Sequence, residues 1–162
     1  MKEILLPTDF SDYALNAIFS ALKLQRETPC NFTLLHVYEP DTRNIASRQN
    51  ATRSGMIYDA MHKDALNKLD ETLAMIAKVS DYAQHTFSVR AEPGDLATVI
   101  NELVPKHDLD LIVMGTKGAS GAKLVFLGSN TVRVLKKIRN CPILVIPKKF
   151  NFQSLTKIVF PT

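Results

Sequence analysis

The stretch Asp110-Leu111-Ile112-Val113-Met114-Gly115-Thr116-Lys117-Gly118 runs a short, unbroken apolar segment straight into a glycine-bearing polar turn. An apolar run from Leu111 to Met114 with no polar alternation suits a strand covered on both faces, as in a parallel sheet. The same pattern recurs outward in both directions. Glu3 to Pro7, Phe32 to Tyr38, Thr86 to Ala91 and Ile143 to Ile146 read as four further strands.

Helical periodicity fills the gaps. After Ser11, the residues Ala14, Leu15, Ile18, Phe19 and Leu22 share one face. Met61, Ala65, Leu66, Leu69, Leu73 and Ile76 share another. Asp95 is the expected N-cap of a helix carrying Leu96, Val99, Ile100, Leu103 and Val104, with Pro105 marking its end. A last helix is expected from about Asn130 to Ile138. Residues 40–55, polar and holding three arginines, point to an exposed loop.

Strands alternating with helices give an α/β fold, a parallel sheet with helices on both faces and right-handed crossovers, and the expected arrangement is a doubly wound five-stranded sheet of order 3-2-1-4-5. In that order strands 1 and 4 lie side by side at the point where the winding reverses. Ligands bind in the crevice outside the carboxyl ends of such strands. Two segments are thereby nominated as site walls: Pro7-Thr8-Asp9 after strand 1, and Gly115 onward after strand 4.

Composition narrows the classes. A hydrophobic share of 46% and a charged share of 22% fit an ordinary globular domain. No apolar run approaches a membrane span, and the N-terminal run stopped by Pro7 is too short for a signal-peptide core, which points to the cytoplasm. Cys30 and Cys141 stand far apart, outside any metal-ligand spacing, and read as reduced buried thiols. The net charge of +4 could favour polyanions, but no arginine stripe with interleaved aromatics directs it to nucleic acid.

Four of the six glycines, Gly115, Gly118, Gly121 and Gly128, fall within one loop. Glycine permits positive φ and close backbone approach, and successive exposed N–H groups form anion-binding nests. Gly128-Ser129 then opens a helix whose free N–H groups and dipole favour negative charge. The Ser129 hydroxyl could cap that helix, bond a phosphate, or do both, and Lys117 and Lys123 add positive charge. The loop is neither a Walker A motif nor the dinucleotide fingerprint after a first strand.

The spacing Gly115-x2-Gly118-x9-Gly128-Ser129 resembles the ATP-binding motif G-x2-G-x9-G-[ST] of the universal stress protein family. Pro7-Thr8-Asp9-Phe10-Ser11, Leu34-Leu35-His36-Val37 and Cys141-Pro142-Ile143-Leu144-Val145-Ile146 are similar to other segments of that family, in the right order. The resemblance implies that Asp9 meets the adenosine moiety, although a carboxylate there could instead cap the first helix. It implies that the Val37 backbone meets the adenine edge, and that Met114 and Gly115 line the ribose and phosphate side. Lys117, Gly118, Gly128, Ser129 and Asn130 would surround the phosphates, with Thr131 a further candidate. The implied ligand is ATP, or ADP or AMP, with magnesium as a candidate companion. The resemblance also implies dimerisation through the Ile143–Ile146 edge strand, and slow hydrolysis in some members.

No histidine, cysteine or carboxylate grouping marks a catalytic or metal site, so binding with little turnover is expected, and a dimerising scaffold is the alternative. Lys157-Ile158-Val159-Phe160-Pro161-Thr162 echoes Glu3-Ile4-Leu5-Leu6-Pro7-Thr8 about one domain later. Either the match is chance, or residues 1–148 form one domain, 149–156 a linker and 157–162 the start of a truncated second repeat, giving a homodimer or a pseudo-dimer. Gly128→Val is expected to weaken ATP binding about tenfold or more while the protein stays folded, since each lost contact to a charged group is worth roughly 1.5–3 kcal/mol. Titration calorimetry beside a melting curve checks both halves.

Overall fold

In the computed structural model, which describes residues 1–39, 50–79, 83–117 and 127–147, strands and helices alternate along the chain. They are β1 (Lys2–Pro7), α1 (Asp12–Leu24), β2 (Cys30–Tyr38), α2 (Asn50–Val79), β3 (Thr86–Pro93), α3 (Leu96–Lys106), β4 (Leu111–Gly115), α4 (Ser129–Lys137) and β5 (Ile143–Ile146). The strands form one sheet in the order β3-β2-β1-β4-β5, every pair parallel. The sequence-derived order and class both hold. The linker, the echo of β1 and most of the glycine loop, including Gly118, Gly121 and Lys123, lie outside the described residues.

The period-2 geometry of a strand splits β1 between two cores. Ile4 and Leu6 join Phe32, Leu34 and Val113 beneath α1 and α2, which contribute Ala17, Ile18, Ala21, Leu22, Ala65, Leu69 and Ile76. Leu5 points the other way, joining Leu35, Ile112 and Met114 beneath α3 and α4, which contribute Ala97, Ile100, Leu103, Val104 and Val134. Burial on both sides is why β1 and β4 show no polar alternation.

Caps fix the helix entries. Ser11 Oγ accepts the Ala14 N–H at 3.3 Å to start α1. Asp95 accepts the Thr98 N–H at 3.0 Å to start α3.

Two expectations are corrected. Pro105 does not end α3, which runs to Lys106. A proline in the last turn forgoes one ladder bond, and the His107 N–H still closes the helix on the Leu103 carbonyl at 3.0 Å. The exposed loop does not reach Gly55, because α2 already begins at Asn50. One glycine costs a helix only about 1 kcal/mol, which a 30-residue helix packed along its later turns absorbs. Gly55 is exposed, and a β-carbon there would meet nothing within 4 Å. Gly55→Ala should therefore stabilise the protein by about 0.4–1 kcal/mol, read as a higher urea midpoint at unchanged m-value.

Candidate functional site

The chain leaves β1 toward α1 on one face and leaves β4 toward α4 on the other. The two exits diverge and a cleft opens between them. Pro7, Thr8 and Asp9 form its β1 wall and Val37 extends that wall from β2. Met114, Gly115 and Lys117 form the β4 wall, and Asn130 and Thr131 close it from the first turn of α4. Ala14 and Leu96 complete the lining. The cleft holds about 80 Å³ within its walls and about 500 Å³ counted out to the open mouth.

Side-chain bonds build the β1 wall. Buried Thr8 donates its N–H to the Leu35 carbonyl at 2.8 Å, and its hydroxyl accepts the Phe10 N–H at 3.0 Å. His36 Nδ1–H donates to the Thr8 carbonyl at 2.8 Å. Exposed Asp9 accepts both the Ser11 hydroxyl at 2.6 Å and the Ser11 N–H at 3.2 Å through Oδ1. The open alternative is thereby decided: Ser11 caps α1, and Asp9 is not the cap. Between them Phe10 has φ 63°, a left-handed conformation that costs a non-glycine residue roughly 1–2 kcal/mol.

Backbone groups build the opposite wall. The Thr116 N–H donates to the Ile146 carbonyl at 3.0 Å, and the Gly128 N–H donates to the Thr116 carbonyl at 2.7 Å. Buried Thr131 donates its hydroxyl to the Gly115 carbonyl at 3.0 Å, tying α4 to the end of β4. The first intrahelical bond of α4 runs from the Val132 N–H to the Gly128 carbonyl at 3.0 Å. The N–H groups of Ser129, Asn130 and Thr131 precede it and have no acceptor inside the helix. The N-cap is Gly128, with no side-chain cap bond, so the Ser129 hydroxyl is not the cap that it could have been. The positive end of the α4 dipole and these amides together favour an anion.

Farther along the same helix, Arg133 Nη1 donates to Asp95 Oδ1 at 3.3 Å and Lys137 Nζ donates to the Thr98 hydroxyl at 2.7 Å. The Thr98 hydroxyl and amide, with Arg133 adding to them, hold the Asp95 carboxyl below its ordinary range. These bonds lock α4 against the start of α3.

The universal stress protein family model matches residues 1–147. The chain belongs to the universal stress protein family. Among its relatives is universal stress protein MJ0531 of Methanocaldococcus jannaschii, 30% identical over 147 residues, or 91% of this chain and 82% of that one. The solved structure of MJ0577 from the same organism superposes with a TM-score of 0.77 at 27% identity, covering 93% of this chain and 98% of the other. A family protein from Arabidopsis thaliana, solved with AMP bound, shares the fold at a TM-score of 0.55 and 16% identity, covering 91% of this chain and 92% of its own.

Against this family frame, the structure brings nine residues singled out from sequence to one cleft: Pro7, Thr8, Asp9, Val37, Met114, Gly115, Lys117, Asn130 and Thr131. Gly128 and Ser129 stand at the adjoining helix start. Gly118 lies outside the described residues.

Neither Gly128 nor Gly115 takes the positive φ expected of a loop glycine. Gly128 has φ −68°, which any residue adopts. Gly115 is needed for space: a β-carbon would lie 2.8 Å from the Tyr13 carbonyl oxygen. It lets β4 pass close beneath α1, which is a packing role.

Sequence reasoning missed Ala14, Leu96, His36 and Phe10 as parts of the site or its frame. Leu96 and Ala14 read as ordinary helix positions. The bond from His36 to Thr8 and the left-handed Phe10 leave no periodic trace. Gly115→Ala should lower stability by about 1–3 kcal/mol through this overpacking, seen as a reduced urea midpoint without any ligand present.

Proposed function

We propose that this chain is an adenine-nucleotide-binding regulatory module of the cytoplasm, taking ATP, or ADP or AMP in its place, in the cleft between β1 and β4. One observation carries the reading: a carboxylate on one wall, Asp9, and a helix N-terminus with Lys117 on the other face the same opening. A nucleotide has the matching polarity. Asp9 accepts hydrogen bonds from the adenine amino group or a ribose hydroxyl, the Val37 backbone meets the base, and Pro7 and Thr8 flank it. Met114 and Gly115 lie along the sugar. The phosphates rest on Lys117, Gly118, Gly128, Ser129 and Asn130, with Thr131 bracing the first turn of α4. The AMP carried by the Arabidopsis relative agrees with this choice of ligand class.

Turnover is slow or absent in this reading. Asp9, the one carboxylate among the described cleft residues, already takes two bonds from Ser11, which suits recognition better than proton abstraction. Among the described residues no group of three His, Cys, Asp or Glu side chains could hold a metal. A magnesium ion entering with ATP would therefore draw its ligands mainly from phosphate and water.

The second reading, a dimerising scaffold, is favoured by the position of β5. Among the described residues it pairs only with β4 at the sheet edge, and Ile143, Leu144 and Val145 are only half-buried. An apolar edge invites pairing, with a second copy or with a second repeat of the same kind. The two readings separate cleanly. Mass spectrometry of gently denatured protein should release ATP, ADP or AMP, and calorimetry of the emptied protein should show saturable ATP binding. Folded protein that yields no nucleotide and takes up none at millimolar ATP would leave the scaffold.

A further inference from the structure

We infer that Phe10 is a positioning residue for the cleft, its ring packed at a tilt against His36 so that the Thr8–Ser11 turn holds a left-handed bend and presents the Asp9 carboxylate at the mouth. This deepens the nucleotide reading above and rests on it.

The backbone at Phe10 is the starting point. Its φ of 63° is a genuine outlier for a bulky aromatic residue, in a region that glycine enters at no steric cost. Strain of this kind persists only where the surroundings over-determine it, and here they do. The Phe10 N–H is held by the Thr8 hydroxyl at 3.0 Å. The Phe10 ring lies 4.5 Å from the His36 ring, centroid to centroid, at an interplanar angle of 38°. His36 is itself fixed, since its Nδ1–H donates to the Thr8 carbonyl at 2.8 Å. From α2, Lys68 Nζ lies 5.9 Å from the Phe10 ring centroid, within cation–π range, while bonded to Asp64 at 2.7 Å.

The ring thus fastens the turn to β2 through His36 and to α2 through Lys68. The residue it most directly constrains is Asp9, immediately before it. Asp9 is exposed and lines the cleft, yet its Oδ1 is held by both donors of Ser11, immediately after Phe10. A carboxylate fixed before the ligand arrives forfeits less ordering entropy on binding. A glycine at this position would make the same bend without strain, but it would lose the ring contacts that help to hold the bend closed.

Calorimetry with ATP on four proteins tests this: wild type, Phe10→Gly, Asp9→Asn and the double variant. Phe10→Gly should weaken ATP at least fivefold in the wild-type background and less than twofold in the Asp9→Asn background, because the ring acts through Asp9. Phe10→Tyr, which keeps the ring, should bind within twofold of wild type. Equal losses in both backgrounds, or a Phe10→Gly protein that binds like wild type, overturns the inference. Should Phe10→Gly fold poorly, Phe10→Asn replaces it, since asparagine also tolerates this region.

Wild-type protein that binds no ATP sinks the reading of the cleft itself. The clamp is then read in ligand-free protein by exchange of the Ser11 amide hydrogen, corrected for its intrinsic rate. At least threefold faster exchange in Phe10→Gly supports the clamp, and unchanged exchange overturns it.

Discussion

Everything at the mouth of this sheet follows from β1 being hydrogen-bonded on both sides, to β2 and to β4, while the chain departs from β1 and β4 toward opposite faces. A strand so enclosed must be apolar on both sides, and Ile4, Leu5 and Leu6 are all buried. Once the strands are fixed, the polar residues that follow them have nowhere to go but the gap between the diverging connections. The cleft is a consequence of winding direction. It needs no specialised side chain to exist, only to become selective.

The two walls reach rigidity by different means. On the β4 side the backbone largely holds itself, Thr116 bonding Ile146 and Gly128 returning to Thr116, with one side chain, the Thr131 hydroxyl, locking the first turn of α4 to Gly115. What remains directed outward is a set of amides that a helix cannot satisfy internally. On the β1 side, side chains hold the backbone. Thr8 is gripped from β2 by the Leu35 carbonyl and by His36, and the following turn is bent against its preference. A wall of backbone dipoles thus faces a wall that carries a single exposed carboxylate.

Much of this was legible in the sequence, for a physical reason. Doubly covered strands such as Leu111–Met114 must be apolar throughout, and helices such as the one after Asp95 must show their helical period, because burial is enforced along each of them. Alternation and right-handed crossovers allowed the observed sheet order without singling it out. Pro7, Thr8, Asp9, Gly115 and Lys117 followed from the ends of β1 and β4 and the loop's charge, whereas Val37, Met114, Asn130 and Thr131 were implied by the family resemblance.

What stayed hidden was whatever burial does not enforce. The first turns of α2 read as a loop because polar residues and Gly55 carry no apolar stripe. Pro105 read as a stop because the cost of one missing bond is judged locally, whereas the packed face of α3 decides it. Gly115 read as a loop glycine, although the atom that demands it, the Tyr13 carbonyl oxygen, belongs to a helix about a hundred residues away.

Phe10 shows most clearly how local preference and tertiary structure divide the work. Preference alone would put an extended or helical φ there, and the chain would run past Asp9 without turning. The bend exists because β2 delivers His36 to one side of the turn and α1 demands a capped start at Ser11 on the other. Both demands act within three residues, and the left-handed Phe10 meets them together. The strain is therefore small in energy but sharply located: it sits between the carboxylate that faces the opening and the serine that starts the first helix.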